Sequence, residues 1–151
     1  MKTLQIDENE AKKLYKDVSD EFKTLLEDTF GKDFFKFDFK DIKTFEDAWL
    51  VLEKTGDPNE YLQGTDDEVA YKQLKLITEA INNGWVADWN DHCQEKHVLF
   101  LNGENYFVLR TTGVISLYTP MGIPPRFCFE TAEKAEYAGR TFTDLYKRFI
   151  L

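Results

Sequence analysis

The chain is short of several things at once. Its 151 residues include two cysteines, four prolines and two histidines. Two thiols, Cys93 and Cys128, make no disulfide framework, and a free pair suits a reducing cytosol. Three of the four prolines sit in one loop, Thr119-Pro120-Met121-Gly122-Ile123-Pro124-Pro125. No apolar run approaches the ~20 residues needed to span a bilayer, so no membrane placement is expected. The opening stretch MKTLQIDENEAKK is charged within its first few residues and carries no apolar region, so no secretory signal is expected either. A glycine-rich phosphate loop, an internal repeat and a low-complexity tract are all missing.

Positive charge is scarce as well. The formal net charge is −9, and the arginines are Arg110, Arg126, Arg140 and Arg148, all in the second half. Residues 1–76 hold 12 Lys against 19 Asp and Glu, a net of −7, whereas residues 77–151 come to −2. Binding to phosphate backbones or anionic membranes requires a basic surface, so both are disfavoured. An acidic surface suits a basic partner, although its commonest service is solubility.

What is present describes a globular protein. Hydrophobic residues make up 42% and aromatic residues 15%, with thirteen Phe, far from a disordered profile. One domain is the expectation at this length. Such a chain buries roughly two thirds of its unfolded surface and needs no disulfide or metal to fold.

The first half, residues 1–84, reads as helices. Asp7 with Glu10 forms a capping box stapled by Ile6, and Ala11, Leu14, Tyr15 and Val18 follow as an apolar stripe. Ser19 caps a second helix carrying Phe22, Leu25, Leu26 and Phe30, ended by Gly31. Asp33 to Ile42 alternates, with Phe35, Phe37 and Phe39 on one side, and predicts a short half-buried strand or extended arm. Thr44 and Asp47 box a third helix, stopped by Gly56-Asp57-Pro58. Thr65 with Glu68 opens the longest helix, lined by Ala70, Leu74, Ile77 and Ile81 and closed by Asn83-Gly84.

After Gly84 the period changes. His97–Leu101 and Tyr106–Arg110 are strand-like around the hairpin signal Asn102-Gly103-Glu104-Asn105. Val114–Tyr118 predicts a third strand and Arg126–Phe129 a further extended piece. Thr131 then caps one last helix with Ala138, Phe142, Leu145 and Phe149 on its apolar stripe, and Gly139 inside it suggests a close helix–sheet contact. Helices, then an antiparallel sheet over about 97–129, then a covering helix in 97–151: this is an α+β single domain.

Chemistry concentrates in DWNDHCQEKH, residues 88–97, which holds both histidines, one cysteine and three carboxylates. Zinc needs about four ligands at tetrahedral geometry. Cys93 and His97 would make one i, i+4 pair if helical, and no second pair accompanies them, so no metal or other cofactor is expected. A Cys93 nucleophile with His92 or His97 as base would need an orienting group and an oxyanion pocket, and no local glycine-rich turn supplies one. Carboxylate pairs drawn from Asp88, Asp91 and Glu95 arise readily by chance among 28 acids. The segment therefore reads as a polar crossing after a helix end, with Trp85 and Trp89 anchoring it and its charges facing water.

The stretches Tyr71–Ile77 and Asn83–Asn90, together with Phe30–Phe35, Ile42–Ala48, Arg126–Phe129, Ala135–Gly139 and Phe142–Tyr146, resemble a group of small uncharacterised proteins encoded by phages and mobile elements of Bacteroidales. In that pattern Trp85, Asp88, Trp89 and a following Lys, here Lys96, recur, and His92 and Cys93 do not. The resemblance implies a phage-associated origin and a bacterial cytoplasm, and it transfers no catalytic residues.

The expected function is that of a non-enzymatic accessory protein acting through protein–protein interaction. Its partner would be a host factor, another phage protein or a second copy of the chain. Aromatic and Arg residues are favoured interface anchors, which makes Trp85, Trp89, Arg110, Tyr118 and Arg126 the candidate partner-binding residues. The rival expectation is a small-molecule-binding or hydrolytic protein whose pocket opens where residues 85–97 meet the sheet, lined by Asp88, His92 and His97. A filled core at that place favours the interaction module.

Overall fold

The computed structural model describes residues 5–102, 105–111 and 127–150, and for residues 101, 102, 105 and 107–111 the backbone alone. Helical propensity and capping decide the first half. α1 (Glu8–Asp17) opens on the Asp7/Glu10 capping box, in which Glu10 N donates to Asp7 Oδ1 at 2.8 Å. α2 (Asp20–Phe30) starts at Ser19, whose side chain makes no capping hydrogen bond, and stops at Gly31, where φ is +90°. That φ lies in the region glycine adopts freely.

The alternation of phenylalanines after Gly31 does not make a strand. Lys32–Phe35 and Phe39–Asp41 are 3-10 turns. The reason lies in the rings. Phe35 stacks on Tyr15 with centroids 4.1 Å apart, and Phe34 stacks on Phe30 at 5.2 Å. Consecutive residues on one strand would point to opposite faces, whereas a tight turn delivers both rings to the α1–α2 hairpin.

By its packing the chain divides into two compact units, residues 1–38 and 39–151. The central helix, at the end of the helical half 1–84, shares a core with the sheet. In the second unit α3 (Phe45–Val51) begins at a Thr44/Asp47 capping box and buries Phe45, Ala48 and Trp49. Pro58, expected only to stop a helix, instead opens a further one. α4 (Pro58–Tyr61) has Asp57 as its cap, accepting from Asn59 N at 2.8 Å, because proline at the first helical position loses no hydrogen bond. α5 (Asp66–Asn82) runs from the Thr65/Glu68 box to Asn83, which closes it in the left-handed conformation at φ +47°. It buries Ala70, Leu74, Ile77 and Ile81 as the periodicity requires.

The sheet is antiparallel, in the order β2-β1-β3, with β1 (Lys96–Asn102), β2 (Asn105–Thr111) and β3 (Cys128–Phe129). β1 and β2 form the expected hairpin, with Asn102 opposite Asn105 and His97 opposite Arg110. β3 lies along the other edge of β1, Val98 opposite Cys128. The expected strand Val114–Tyr118 and the proline loop lie outside the described residues.

The single C-terminal helix expected after Thr131 is two. α6 (Ala132–Thr141) and α7 (Thr143–Ile150) meet at Phe142, whose φ of −114° is not helical. Phe142 is buried at this joint, and the Thr143 hydroxyl donates back to the Gly139 carbonyl, a local bond that competes with the helical ladder and bends it. The main core joins α3, α5, α6, α7 and one sheet face through Trp49, Leu74, Ile77, Ile81, Leu99, Phe129, Ala138 and Tyr146. Together these elements make an α+β fold.

One side chain ties α5 to the sheet. Asn82, buried at the last turn of α5, donates Nδ2 to the Cys128 carbonyl at 2.9 Å and accepts the Glu130 N–H at 3.2 Å. Those two backbone groups flank Phe129 and point the same way from an extended strand. The amide therefore takes the place a neighbouring strand would take on β3.

Candidate functional site

β1 is covered on both faces, and that determines what residues 85–97 do. Leu99 faces the main core, while Val98, Phe100 and Cys128 form a second cluster against which Trp85, Ala87 and Trp89 pack. The segment after α5 is thus the lid of the second sheet face. It contains no helix, so Cys93 and His97 never acquire helical i, i+4 geometry.

Short polar side chains shape the lid. Asp88 Oδ1 accepts Asn90 N–H at 2.9 Å, and Asp91 Oδ1 accepts Cys93 N–H at 2.8 Å. Such Asx bonds to the backbone two residues on are a local alternative to regular structure. Gln94 closes the loop, accepting Asp88 N–H at 2.6 Å and donating to the Val86 carbonyl at 3.1 Å.

The residue at the centre of the segment is Lys96, which is fully buried. Its Nζ donates to the carbonyls of Gln94 at 2.9 Å and Asp91 at 3.1 Å, and stands 5.4 Å from the centre of the Trp89 ring. A desolvated ammonium is costly unless hydrogen-bonded, and here carbonyl dipoles and an indole face supply the compensation. The same alternation that buries Val98 and Phe100 buries Lys96. That signal was available in the sequence: a strand covered on both faces has no exposed side on which a lysine at its start can lie.

Cys128 shares this face. Burial pushes its thiol up to about 11, outweighing the opposing influence of a backbone hydrogen bond and, after it, of Lys96. A thiol held protonated is a poor nucleophile. His97 is buried on the opposite side of β1, and its Nδ1 has no hydrogen-bond partner among the described residues. His92 and Cys93 are exposed. Among the described residues no three His, Cys, Asp or Glu side chains converge to hold a metal ion.

Of the candidate anchors, the structure brings Trp85 and Trp89 together, both half-buried on the second cluster. Arg110 stands opposite His97 in the ladder. The Arg110 side chain, Tyr118 and Arg126 lie outside the described residues. Among the described residues, the Lys96 side chain and the indoles of Trp85 and Trp89 pack where residues 85–97 meet the sheet.

An open groove lies elsewhere, in the first unit. A groove of about 800 Å³ runs between α1 and α2, walled by Ile6, Phe22, Leu25 and Phe30 with Asp7 and Glu10 among its lining. Leu25, expected in the buried stripe of α2, is 57% exposed, and within the two helices only Ala11 and Leu26 are buried. The sequence carries no separate signal for this, since Phe22, Leu25, Leu26 and Phe30 recur at the ordinary spacing of a helix that buries one face.

No helix among the described residues is long and apolar enough to cross a membrane. In comparisons with protein-family models, curated proteins and solved structures, nothing matches this chain.

Proposed function

We propose that the protein is an accessory factor of a phage or mobile element that acts by binding another protein rather than by catalysis. The observation that carries this reading is the open apolar groove of the α1–α2 hairpin, with Leu25 more than half exposed on its wall. Apolar surface gathered in a groove is what a partner's side chains bury on association. The packing of Trp85, Ala87 and Trp89 on the second face of the sheet supports the same reading, a filled core there being what an interaction module would show. Origin in a Bacteroidales element rests on the sequence resemblance alone, and a cytoplasmic setting follows from that origin.

The test is affinity purification of the tagged chain and of Leu25→Ser from the bacterial host, with quantitative mass spectrometry. A protein enriched by the wild type and lost with Leu25→Ser supports the reading. Identical recoveries from the two would overturn the assignment to this groove.

A further inference from the structure

Two amphipathic helices of ten and eleven residues cannot enclose their own apolar stripes; a third element is needed on the open side. At about 1.5 Å rise per residue each helix presents a wall near 15 Å long, the length of some three helical turns. The 3-10 turn that carries Phe34 and Phe35 closes part of the hairpin. Among the described residues nothing more covers Ile6, Phe22 and Leu25, which line the groove.

The groove is also electrically one-sided. α1 and α2 are joined by the two residues Val18 and Ser19, so the start of α1 lies beside the end of α2, as the shared lining of Asp7, Glu10, Thr29 and Phe30 shows. Asp7 and Glu10 each spend one carboxylate oxygen on the capping box and keep the other. The last turn of α2 contributes the negative end of its dipole and carries no basic residue to offset it. Among the described residues, no Lys or Arg lines the groove.

We infer that the occupant is a basic amphipathic helix of a partner protein, its apolar face against Ile6, Phe22 and Leu25 and a Lys or Arg at the Asp7/Glu10 end. This deepens the interaction reading and rests on it. The helix completes a three-helix arrangement. Its cation meets two carboxylates and the α2 carbonyl end, which no basic group among the described residues lining the groove compensates.

The test uses the full-length protein and two fluorescent synthetic helices of about 18 residues, long enough to be helical when bound. Both carry the same Leu face, one with Lys and the other with Glu on its polar side. Saturable binding of the Lys helix is expected, with the Glu helix at least about tenfold weaker, reflecting charge complementarity at the groove end. Leu25→Ser should weaken the Lys helix about tenfold, and Glu10→Gln, which keeps the capping box, several-fold. Leu14→Ser, an exposed position away from the groove lining, should leave it unchanged.

Equal affinity for the two helices, with Leu25→Ser still weakening both, would overturn the basic character of the occupant and leave the interaction reading standing. Binding of the Lys helix that ignores Leu25→Ser would be general attraction to an acidic chain and would overturn the inference. Sedimentation that shows a dimer broken by Leu25→Ser would assign the groove to a second copy and overturn it as well.

Discussion

The ammonium of Lys96 lies over the indole of Trp89, 5.4 Å from the ring centre, while two of its N–H groups point at the carbonyls of Gln94 and Asp91. One side chain thereby fastens the loop of residues 88–95 to the first residue of β1. Lys96→Met keeps the stem and removes the donor, leaving two carbonyls without a partner. The expected loss is about 2–4 kcal/mol, read from urea midpoints. In a double-mutant cycle with Trp89→Leu the coupling should be about 0.5–2 kcal/mol. His92→Ala/Cys93→Ser, at exposed positions of the same loop, should stay within about 0.5 kcal/mol of the wild type. A Lys96→Met protein as stable as the wild type would remove Lys96 from its structural role.

Alkaline stability should bear the mark of Cys128. Its folded-state value, up to about 11 from an ordinary 9.0, means that the unfolded chain ionises first. The contribution is whole below pH 9 and is lost as pH rises through 11. At about 1.4 kcal/mol per unit the full loss approaches 2–3 kcal/mol. The buried Tyr146 phenol, also held above its ordinary value by burial with the Thr78 hydroxyl pulling weakly the other way, adds to the decline above pH 10. Urea titrations from pH 8 to 11 should show a steeper fall for the wild type than for Cys128→Val. Parallel curves would mean that the thiol is not desolvated.

Capping boxes and helical periodicity located α1, α3 and α5, since both signals are local; the stripe on α5 is buried, whereas on α1 only Ala11 is and Leu14 is exposed. The hairpin of β1 and β2 was legible for the same reason. What escaped was decided at a distance. Phe34 and Phe35 turn because Phe30 and Tyr15 offer rings to stack on. The α6–α7 break sits at Phe142, a residue whose spacing alone continues the helix. Asn82, which the sequence marks only by its place beside the Asn83-Gly84 helix end, is a clamp on β3. Within residues 88–97 the sequence drew attention to His92 and Cys93 because of what they can do chemically. The structure gives the weight to Trp89 and Lys96, which matter because of what they cover.

Gly139 shows how close α6 comes to the sheet. A Cβ there would lie 2.8 Å from Leu99 Cδ2 and 2.8 Å from Tyr106 Cδ2. Ala is favoured over Gly in a helix by about 1 kcal/mol, so the two effects oppose. Leu99 is buried in the core, and the Tyr106 ring is tethered by its hydroxyl to the Glu136 carbonyl at 3.2 Å, so neither neighbour can yield freely. Overpacking should win, and Gly139→Ala should destabilise by about 1–3 kcal/mol. A Gly139→Ala variant more stable than the wild type in thermal and urea unfolding would show that α6 is free to lift.

The Asn82 clamp yields a test in which pH reverses the ranking of stabilities. The amide both donates, to the Cys128 carbonyl, and accepts, from Glu130 N–H. Asn82→Leu removes both bonds at a buried position and should cost about 2–4 kcal/mol at any pH near neutrality. Asn82→Asp is isosteric and keeps the acceptor, but its ionised form sets a carboxylate oxygen against the Cys128 carbonyl. Only the protonated acid can donate there. Burial and that repulsion raise the folded-state value of the new carboxyl above its unfolded one. A raised value contributes stability that is present below the unfolded value and lost as pH rises. The Asn82→Asp variant should therefore lie close to the wild type near pH 4 and fall towards or below the Asn82→Leu variant near pH 7. Taking each variant relative to the wild type at the same pH cancels carboxylates such as Asp66 and Asp67, which are held low by Arg148 and Thr65 and act in the opposite sense. Unfolding midpoints of the three proteins at the two pH values decide it. A difference between Asn82→Asp and the wild type that does not change with pH would mean that Nδ2 is not the donor that holds β3 in place.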